Sequence, residues 1–362
     1  MELQYKPDWE TTKQNYLAWW EREYFGRCAI AVTAPKNGVA LTLPPLPDKV
    51  EDRWLDFGYL TALNEYWMQS TFYGGEAFPL WHPGYPGNAG HATLLGCKID
   101  LKEDTGWAGT IIEDGDLTSH DYNTLKIDKE GSEWKFFCEV RELAVRESIG
   151  KCIPGNLAFG ACGDTLATLR GSENLLTDVL ECPDYIREFE EYLMRQWTEL
   201  YEASYSITRE CAGGSTCWFP LWSPGKFYAA QNDFAYMISA DMFNEMFLSS
   251  LEIQTNYLDH TVYHVDGVDN FRHIDALLGL ERLQAYQVLP GAGKPSPLHY
   301  PDVLKKVQDH KRNLHISIPA DEVGQALDLL SARGLFIQTS CGSESDARDL
   351  IKCVEKWSVD RG

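Results

Sequence analysis

One short apolar run decides the fold class of this 362-residue chain: Val262-Tyr263-His264-Val265-Asp266, closed by Gly267. β-Branched and aromatic residues dominate the run, and an acidic residue followed by glycine ends it. That pattern is typical of a buried β-strand. Runs of the same kind recur along the chain, so the fold class depends on how many there are and on what separates them.

Eight runs of this kind are candidate strands, at residues 28–33, 77–82, 156–162, 215–221, 262–266, 284–289, 314–318 and 335–339. Amphipathic segments lie between them. Apolar residues recur every three or four positions from Pro183 to about Tyr205 and again over 241–258, which predicts helices. A further helix is expected from about Glu133. Eight strands alternating with helices predict an α/β fold of the (β/α)8 TIM-barrel type rather than an open sheet.

The sequence predicts a single domain over residues 1–362. Residues 1–26, rich in tryptophan and tyrosine, are expected to form a helical cap at the N-terminus. The segment from about 97 to 132 does not fit the alternation of strands and helices. Its density of Gly, Asp and Thr predicts an inserted hairpin or lid.

Composition excludes several classes of protein. The chain is 44% hydrophobic and 24% charged, as globular proteins are, and its net charge is −22. Such a charge repels phosphate backbones and anionic lipids, so neither nucleic acid nor a membrane is an expected partner. No secretory signal or membrane span is visible, and the ten cysteines form no CxxC pair. These features predict a soluble cytoplasmic enzyme with reduced thiols.

Common nucleotide and hydrolase motifs are absent. The segment Gly291-Ala292-Gly293-Lys294 resembles part of a phosphate loop, but the motif's first glycine is missing and Pro295 replaces its Ser or Thr. The GxGxxG and GxSxG patterns do not occur either. Chemistry based on a metal or on carboxylates is what remains.

In such barrels the active site lies at the carboxyl ends of the strands. His264 and Asp266 are two residues apart on one strand, so both side chains point to the same side. Cys341 follows the last predicted strand. Imidazole, carboxylate and thiolate all bind zinc, and three protein ligands leave a fourth position open. We therefore expect His264, Asp266 and Cys341 to share zinc or another divalent metal, the alternative being a core histidine bonded to a carboxylate.

Further candidates also follow predicted strands. The expected substrate-binding residues are Trp81, His82, Asp164, Trp222, Tyr228 and Gln287. The aromatic residues among them could line a pocket that stacks on a sugar, an aryl ether or a methylated ammonium, or could belong to the core. Asp164 could bond substrate or cap a helix. Asp321 and Glu322 are candidates for a catalytic general base, with a helix start as the alternative.

Three segments resemble the uroporphyrinogen decarboxylase-like superfamily. The first begins Gly163-Asp164-Thr165 and runs to residue 176, ahead of Pro183. The second runs from 231 to 243 and leads to the strand at 263–267. The third is residues 339–342. The resemblance covers about residues 156–356 and extends only loosely to the N-terminal third. It implies the barrel fold.

Within that superfamily the chain looks closer to corrinoid-linked methyltransferases than to the haem-pathway decarboxylase. Those methyltransferases bind zinc through a His-x-Cys pair and a late cysteine, which correspond here to His264, Asp266 and Cys341. Asp266 in place of cysteine makes the site harder and less electron-rich. The arginine-rich N-terminal signature of the decarboxylase is not visible, which makes tetrapyrrole decarboxylation the weaker alternative.

The resemblance implies a metal-assisted methyltransferase or demethylase that acts on a small methylated substrate with a corrinoid-binding protein as partner. The metal would act as a Lewis acid on the heteroatom that carries the methyl group. Two alternatives stay open. One is a cofactor-free decarboxylase or lyase for a small carboxylate, and the other is a non-catalytic ligand-binding barrel.

Overall fold

The fold is described here from a computed structural model that covers residues 2–84, 90–112 and 115–362. Its strands, numbered in chain order, are β1 (Ala29–Pro35), β2 (Thr71–Gly75), β3 (Leu80–Trp81), β4 (Ile99–Leu101), β5 (Gly106–Ala108), β6 (Ile153–Pro154), β7 (Ser215–Thr216), β8 (Trp222–Ser223), β9 (Phe227–Ala230), β10 (His260–Asp266), β11 (Ala285–Leu289), β12 (Asn313–Ser317) and β13 (Leu335–Ser340).

The α-helices are α1 (Trp9–Trp20), α2 (Val50–Leu55), α3 (Phe57–Ser70), α4 (Gly90–Leu94), α5 (Ser132–Ser148), α6 (Asp164–Arg170), α7 (Ser172–Glu181), α8 (Pro183–Ala212), α9 (Ala240–Met246), α10 (Leu248–Tyr257), α11 (Ile274–Leu278), α12 (Pro301–Asp309), α13 (Val323–Leu329) and α14 (Glu344–Trp357). None of the helices in this described part of the chain combines the length and apolar composition needed to cross a membrane.

Seven strands form the central sheet, in the order β2-β1-β13-β12-β11-β10-β9. Neighbouring strands are parallel except β1 and β2. The first long strand, β1, pairs in parallel with the last strand, β13. The parallel strands β3 and β6 form a separate pair. The mixed α/β fold is confirmed, but the described residues do not form the closed eight-stranded ring that the sequence predicts.

Five predicted strands coincide with β1, β10, β11, β12 and β13. The central ones are buried on both faces; from Thr261 to Val265 every residue of β10 is buried. Strands covered on both sides have continuous apolar sequences, which is why these runs were recognisable. The predicted strand at 77–82 shortens to the two residues of β3.

The predicted strand at 156–162 is wrong. The four residues from Gly160 to Gly163 all have positive φ angles, of 73°, 148°, 22° and 58°, which no strand can adopt. Just before this turn, the Phe159 N–H donates a hydrogen bond to the Tyr228 hydroxyl at 2.7 Å and not to a neighbouring strand. Apolar composition alone does not show this turn.

The predicted strand at 215–221 is also mostly wrong. Only β7 forms there, and it pairs antiparallel with β8. Pro220 and Pro224 have no N–H for a sheet ladder. The chain enters the central sheet later, as β9, which pairs with β10.

Helix α1 covers the amino ends of the last two strands. The Trp19 indole N–H donates to the carbonyl of Gly334, and the Asn313 amide donates to the carbonyl of Trp19 at 2.8 Å. Gly334 and Asn313 lie where β13 and β12 begin. This end of the sheet is therefore closed by helix α1, and the opposite end is left for a site.

The segment predicted as an insertion contains an antiparallel pair, β4 and β5. The Trp54 indole N–H of α2 donates to the carbonyl of Lys102, in the turn between the two strands, at 2.8 Å. This contact joins the hairpin to the segment that follows β1.

Strand β2 lies at the edge of the central sheet, and Lys6 covers part of that edge. The Lys6 ammonium donates to the carbonyls of Gly75 at 2.7 Å and of Tyr73 at 3.2 Å, and its side chain is 1% exposed. These carbonyls point away from β1, so they have no strand partner. Burial lowers the pKa of Lys6, and the nearby Asp8 carboxylate opposes that change.

The fully buried Glu76 carboxylate joins several parts of the N-terminal region. Its two oxygens accept both terminal nitrogens of Arg27 at 2.7 Å. They also accept the Ile30 N–H of β1 at 2.7 Å and the Asn15 amide of α1 at 2.8 Å. A buried charge with this many donors stabilises one arrangement of the chain.

Replacing Glu76 with glutamine is expected to lower the free energy of unfolding by about 3–5 kcal/mol, because Arg27 would then be a buried charge without its counter-ion. Urea denaturation of the purified variant measures this loss. The control is Glu103→Gln, whose carboxylate is 78% exposed and lies 3.9 Å from Arg53. The control should change stability by less than about 1 kcal/mol. Equal stability of the two variants would contradict the role given to Glu76.

Candidate functional site

A cavity of about 350 Å³ lies beyond the carboxyl ends of β9, β10 and β11. Parallel sheets in α/β proteins place ligand sites at this edge. The lining residues are Asp233, Tyr236, Asp266, Gly267, Pro290, Gly291, Ala292 and Lys294. Two carboxyl groups, the Lys294 ammonium and an exposed tyrosine therefore face a space large enough for a small molecule.

His264 lies near the end of β10. A contact with the next strand, β11, determines which ring nitrogen carries its proton. The parallel register places Gln287 of β11 opposite it, and the His264 Nδ1 lies 2.5 Å from the Gln287 Oε1. Because an amide oxygen only accepts hydrogen bonds, Nδ1 must carry the proton. The other ring nitrogen, Nε2, is left to contact Asp266 or a ligand.

Asp266 extends from the end of the same strand toward the cavity. Its Oδ2 lies 3.8 Å from the His264 Nε2, and its side chain is 44% exposed while that of His264 is 9% exposed. The expectation that the two side chains point to the same side is confirmed. The facing imidazole lowers the pKa of Asp266 from its ordinary value, so the carboxylate is ionised at neutral pH.

The Trp218 indole forms the wall beside His264. The two rings meet edge to face, with 4.9 Å between their centroids. The imidazole is held in one orientation, because the Trp218 ring lies on one side of it and the hydrogen bond to Gln287 on the other. Its Nε2 is directed toward the Asp266 carboxylate.

Asp164 and Asp233 form a second acidic pair next to this histidine. The Asp164 Oδ1 accepts the Asp233 N–H at 2.6 Å, and the Gln231 amide donates to Asp164 at 2.9 Å and to Asp233 at 3.2 Å. Burial, followed by the charge of Asp233, raises the pKa of Asp164. Enclosure by protein also raises the pKa of Asp233, although its carboxylate faces the cavity.

Both carboxyl groups of this pair therefore keep a proton to higher pH than an ordinary aspartate, and of the two only Asp233 lines the cavity. The candidate site holds this acid, the ionised Asp266 and an imidazole close together. Neighbouring groups whose environments separate their pKa values are typical of acid–base chemistry.

Glu190 of α8 holds the turn that positions Asp164. Its Oε2 accepts the Gly163 N–H at 2.8 Å, at the end of the run of positive φ angles. A Cβ on Gly163 would lie 2.3 Å from the Asn232 side chain, so only glycine fits there. Burial raises the pKa of Glu190 to about 7.

The structure does not bring Cys341 to His264 and Asp266. Cys341 follows β13, which is three strands away from β10, or about 14 Å at the usual strand spacing. Its N–H donates to the carbonyl of Thr33 at 2.8 Å. Among residues 2–84, 90–112 and 115–362 no three His, Cys, Asp or Glu side chains are grouped to hold a metal ion. The residues present do not fit the three-ligand zinc site that the sequence predicts.

The aromatic residues predicted to line a pocket belong to the core. Trp81, Trp222 and Tyr228 are at most 2% exposed, and none lines the cavity. Trp222 contacts the ring of Trp9, and Tyr228 stacks on Phe159. Trp81 lies in β3 and Trp222 in β8, neither of which belongs to the central sheet, and Tyr228 lies inside β9 instead of after a strand.

The other predicted residues have varied positions. The exposed His82 accepts the Gly84 N–H through Nδ1. Asp164 accepts the Phe234 N–H and so caps the turn at 234–237. The predicted alternative was that it caps α6, the helix that it begins. Asp321 and Glu322 lie on a 3-10 turn before α13, and neither lines the cavity, so the structure offers no support for a catalytic base there.

Asp233 and Tyr236 line the cavity but were not predicted as site residues from the sequence. Both follow β9, a strand that was not recognised. The polar run Gln231-Asn232-Asp233 directly after an apolar stretch was the available signal. A strand boundary placed after Ala230 instead of Leu221 would have identified it.

No protein-family model and no curated protein matches this sequence. The chain is similar in structure to a methyltransferase from Methanosarcina mazei, with a TM-score of 0.59, 11% sequence identity, and coverage of 96% of this chain and 98% of that chain. Another similar structure is the apo form of the homocysteine methyltransferase MmuM from Escherichia coli, with a TM-score of 0.28, 15% identity, and coverage of 55% and 93%. The first comparison shows a shared fold over almost the whole length of both chains.

Replacing Glu190 with glutamine should change how stability depends on pH. Because the folded state raises this pKa from its ordinary value to about 7, folding favours the protonated acid. This stabilisation is complete at pH values below the pKa of Glu190 in the unfolded chain. It is lost as pH rises to the pKa in the folded protein, which lowers the free energy of unfolding by about 3 kcal/mol. Glutamine can accept the Gly163 N–H without titrating.

Urea denaturation at several values between about pH 4 and pH 8 tests this expectation. The wild-type protein should lose stability relative to Glu190→Gln as pH rises. Parallel stability curves for the two proteins would show that Glu190 is not a buried acid with a raised pKa.

Proposed function

We propose that this protein is a methyltransferase that moves a methyl group between a heteroatom of a small molecule and a corrinoid-binding protein. Three findings support the proposal: the sequence segments that resemble corrinoid-linked methyltransferases, the fold shared with a methyltransferase, and the chemistry of the cavity. The grouping of Asp233, Asp266 and His264 at the sheet edge carries the proposal.

The cavity residues can supply the proton that methyl transfer from a heteroatom needs. A methyl group bonded to oxygen or nitrogen leaves its heteroatom slowly unless that atom is protonated as the bond breaks. Asp233 retains a proton to higher pH than an ordinary aspartate and faces the cavity, so it can supply that proton. The methyl group leaves with no bonding electrons and the heteroatom keeps the pair. A corrinoid held by the partner would supply the electron pair for the new bond to carbon.

His264 and Asp266 have a different task. The Gln287 contact fixes Nδ1–H in His264, which leaves Nε2 to accept a hydrogen bond from the substrate or a proton from the product. The ionised Asp266 stabilises positive charge near that nitrogen. Acid and base are then both present, as a reversible transfer requires.

Zinc has no step in this proposal, because the described residues provide no three-ligand group for it. The charge of the cavity also bears on the decarboxylase or lyase alternative. The ionised Asp266 would repel a small carboxylate, whereas Lys294 on the same lining would attract it. The decarboxylase or lyase alternative therefore stays open.

The direct test mixes the purified protein with reduced cobalamin as methyl acceptor and, one at a time, a methoxylated aromatic compound, methanol, a tertiary methylamine and a quaternary methylamine. Mass spectrometry detects the demethylated product. Asp233→Asn and His264→Gln should each slow product formation by about 100-fold or more, the usual contribution of general acid–base catalysis. Circular dichroism checks that both variants are folded.

The matched control is Asp328→Asn, on the exposed side of α13, which should react at the wild-type rate. Wild-type activity in Asp233→Asn protein would contradict the acid role. Absence of demethylated product from every donor would contradict the methyltransferase proposal and favour a ligand-binding barrel.

A further inference from the structure

A second cavity, of about 440 Å³, lies on the other side of the sheet's carboxyl edge. It is bordered by the ends of β1 and β13, by the segment after β1 and by the end of α3. The lining residues include Lys36, Tyr66, Trp67, Thr71, Ser340 and Cys341. None of them belongs to the site around His264.

One wall of this cavity is aromatic and exposed. Trp67 is 54% exposed and meets Tyr66 edge to face at 5.1 Å. Val39 and Leu41, on the segment opposite, are 37% and 44% exposed. Large apolar side chains gathered around a concave space are typical of a ligand site, and an indole ring offers a flat face for stacking.

The charge of this cavity differs from that of the protein as a whole. The chain has a net charge of −22, yet the cavity lining includes the exposed Lys36 and no carboxylate. The acidic residue beside the segment, Glu344, is already bonded to the Asn37 N–H at 3.0 Å and to Arg348. Hydroxyl groups of Ser340 and Thr71 add hydrogen-bond donors to the lining.

The thiol in this cavity does not suggest covalent chemistry. Burial raises the pKa of Cys341, so the unreactive protonated form dominates at neutral pH. Cys341 therefore adds a small apolar surface to the wall, and the cavity is suited to binding.

We propose that this second cavity binds a small carboxylate with an aromatic body. The ring stacks on Trp67, and the carboxylate pairs with the Lys36 ammonium at the rim. The two cavities differ in charge, because two carboxylates and Lys294 line the first, whereas Lys36 is the one charged residue among the described residues that line the second. This inference does not depend on methyl transfer by the first cavity.

The test titrates the full-length protein with 1-naphthoate and follows binding by calorimetry. The neutral analogue 1-naphthalenemethanol and the cationic analogue 1-naphthylmethylamine are titrated in parallel. Lys36→Gln and Trp67→Ala should each weaken naphthoate binding by about tenfold or more, since each removes one of the two main contacts. Both side chains are exposed, so neither change should affect folding.

Two control variants match these changes. Trp107→Ala removes a tryptophan that is 70% exposed on the β4–β5 hairpin, and Lys305→Gln removes an exposed lysine of α12. Neither should alter naphthoate affinity. An Asp233→Asn variant should also bind normally, which separates this result from any failure of the methyl-transfer proposal.

Several outcomes would overturn the inference. Equal affinity for naphthoate and its neutral analogue would remove the role of Lys36, and tighter binding of the amine would reverse the charge preference. Absence of naphthoate binding, or an equal loss in Trp107→Ala protein, would exclude the cavity as its site. A dimer that dissociates on Trp67→Ala, without naphthoate binding, would identify the surface as a contact between two copies of the chain.

Discussion

A buried carboxylate, that of Glu76, fixes where the central sheet begins. Donors from the N-terminal helix, from Arg27 and from β1 converge on its two oxygens, so one side chain joins segments that are distant in sequence. Strand β1 in turn sets the register of β13, and the parallel strands that follow place their carboxyl ends together. Both cavities lie at that edge. Their geometry therefore depends on a contact made near the opposite end of β1.

Three aspartates near the first cavity show how position alone can divide chemical roles. Asp164 is buried and holds backbone N–H groups, Asp233 is enclosed but faces the cavity, and Asp266 faces an imidazole. The pKa values of the first two are raised and that of the third is lowered. Neighbouring aspartates can thus differ in protonation, one holding a proton and another a negative charge, because their surroundings differ.

The parts of the fold that sequence could predict are those in which composition determines conformation. Strands such as β10 are apolar because both faces are covered, and the two-residue spacing of His264 and Asp266 correctly placed them together. The turn at 160–163 depends on backbone angles, which composition does not reveal. The grouping with Cys341 failed because a strand end fixes the edge of the sheet on which a residue lies but not its distance along that edge.

The Lys6 contacts have a consequence for how the molecule stays apart from its own copies. Strand β2 ends the sheet, and its outward carbonyls are of the kind that recruit a strand from another molecule. The buried Lys6 ammonium occupies two of them, so these two carbonyls are closed to a strand from another copy of the chain. The N-terminal segment thus covers part of the sheet edge without adding a strand to it.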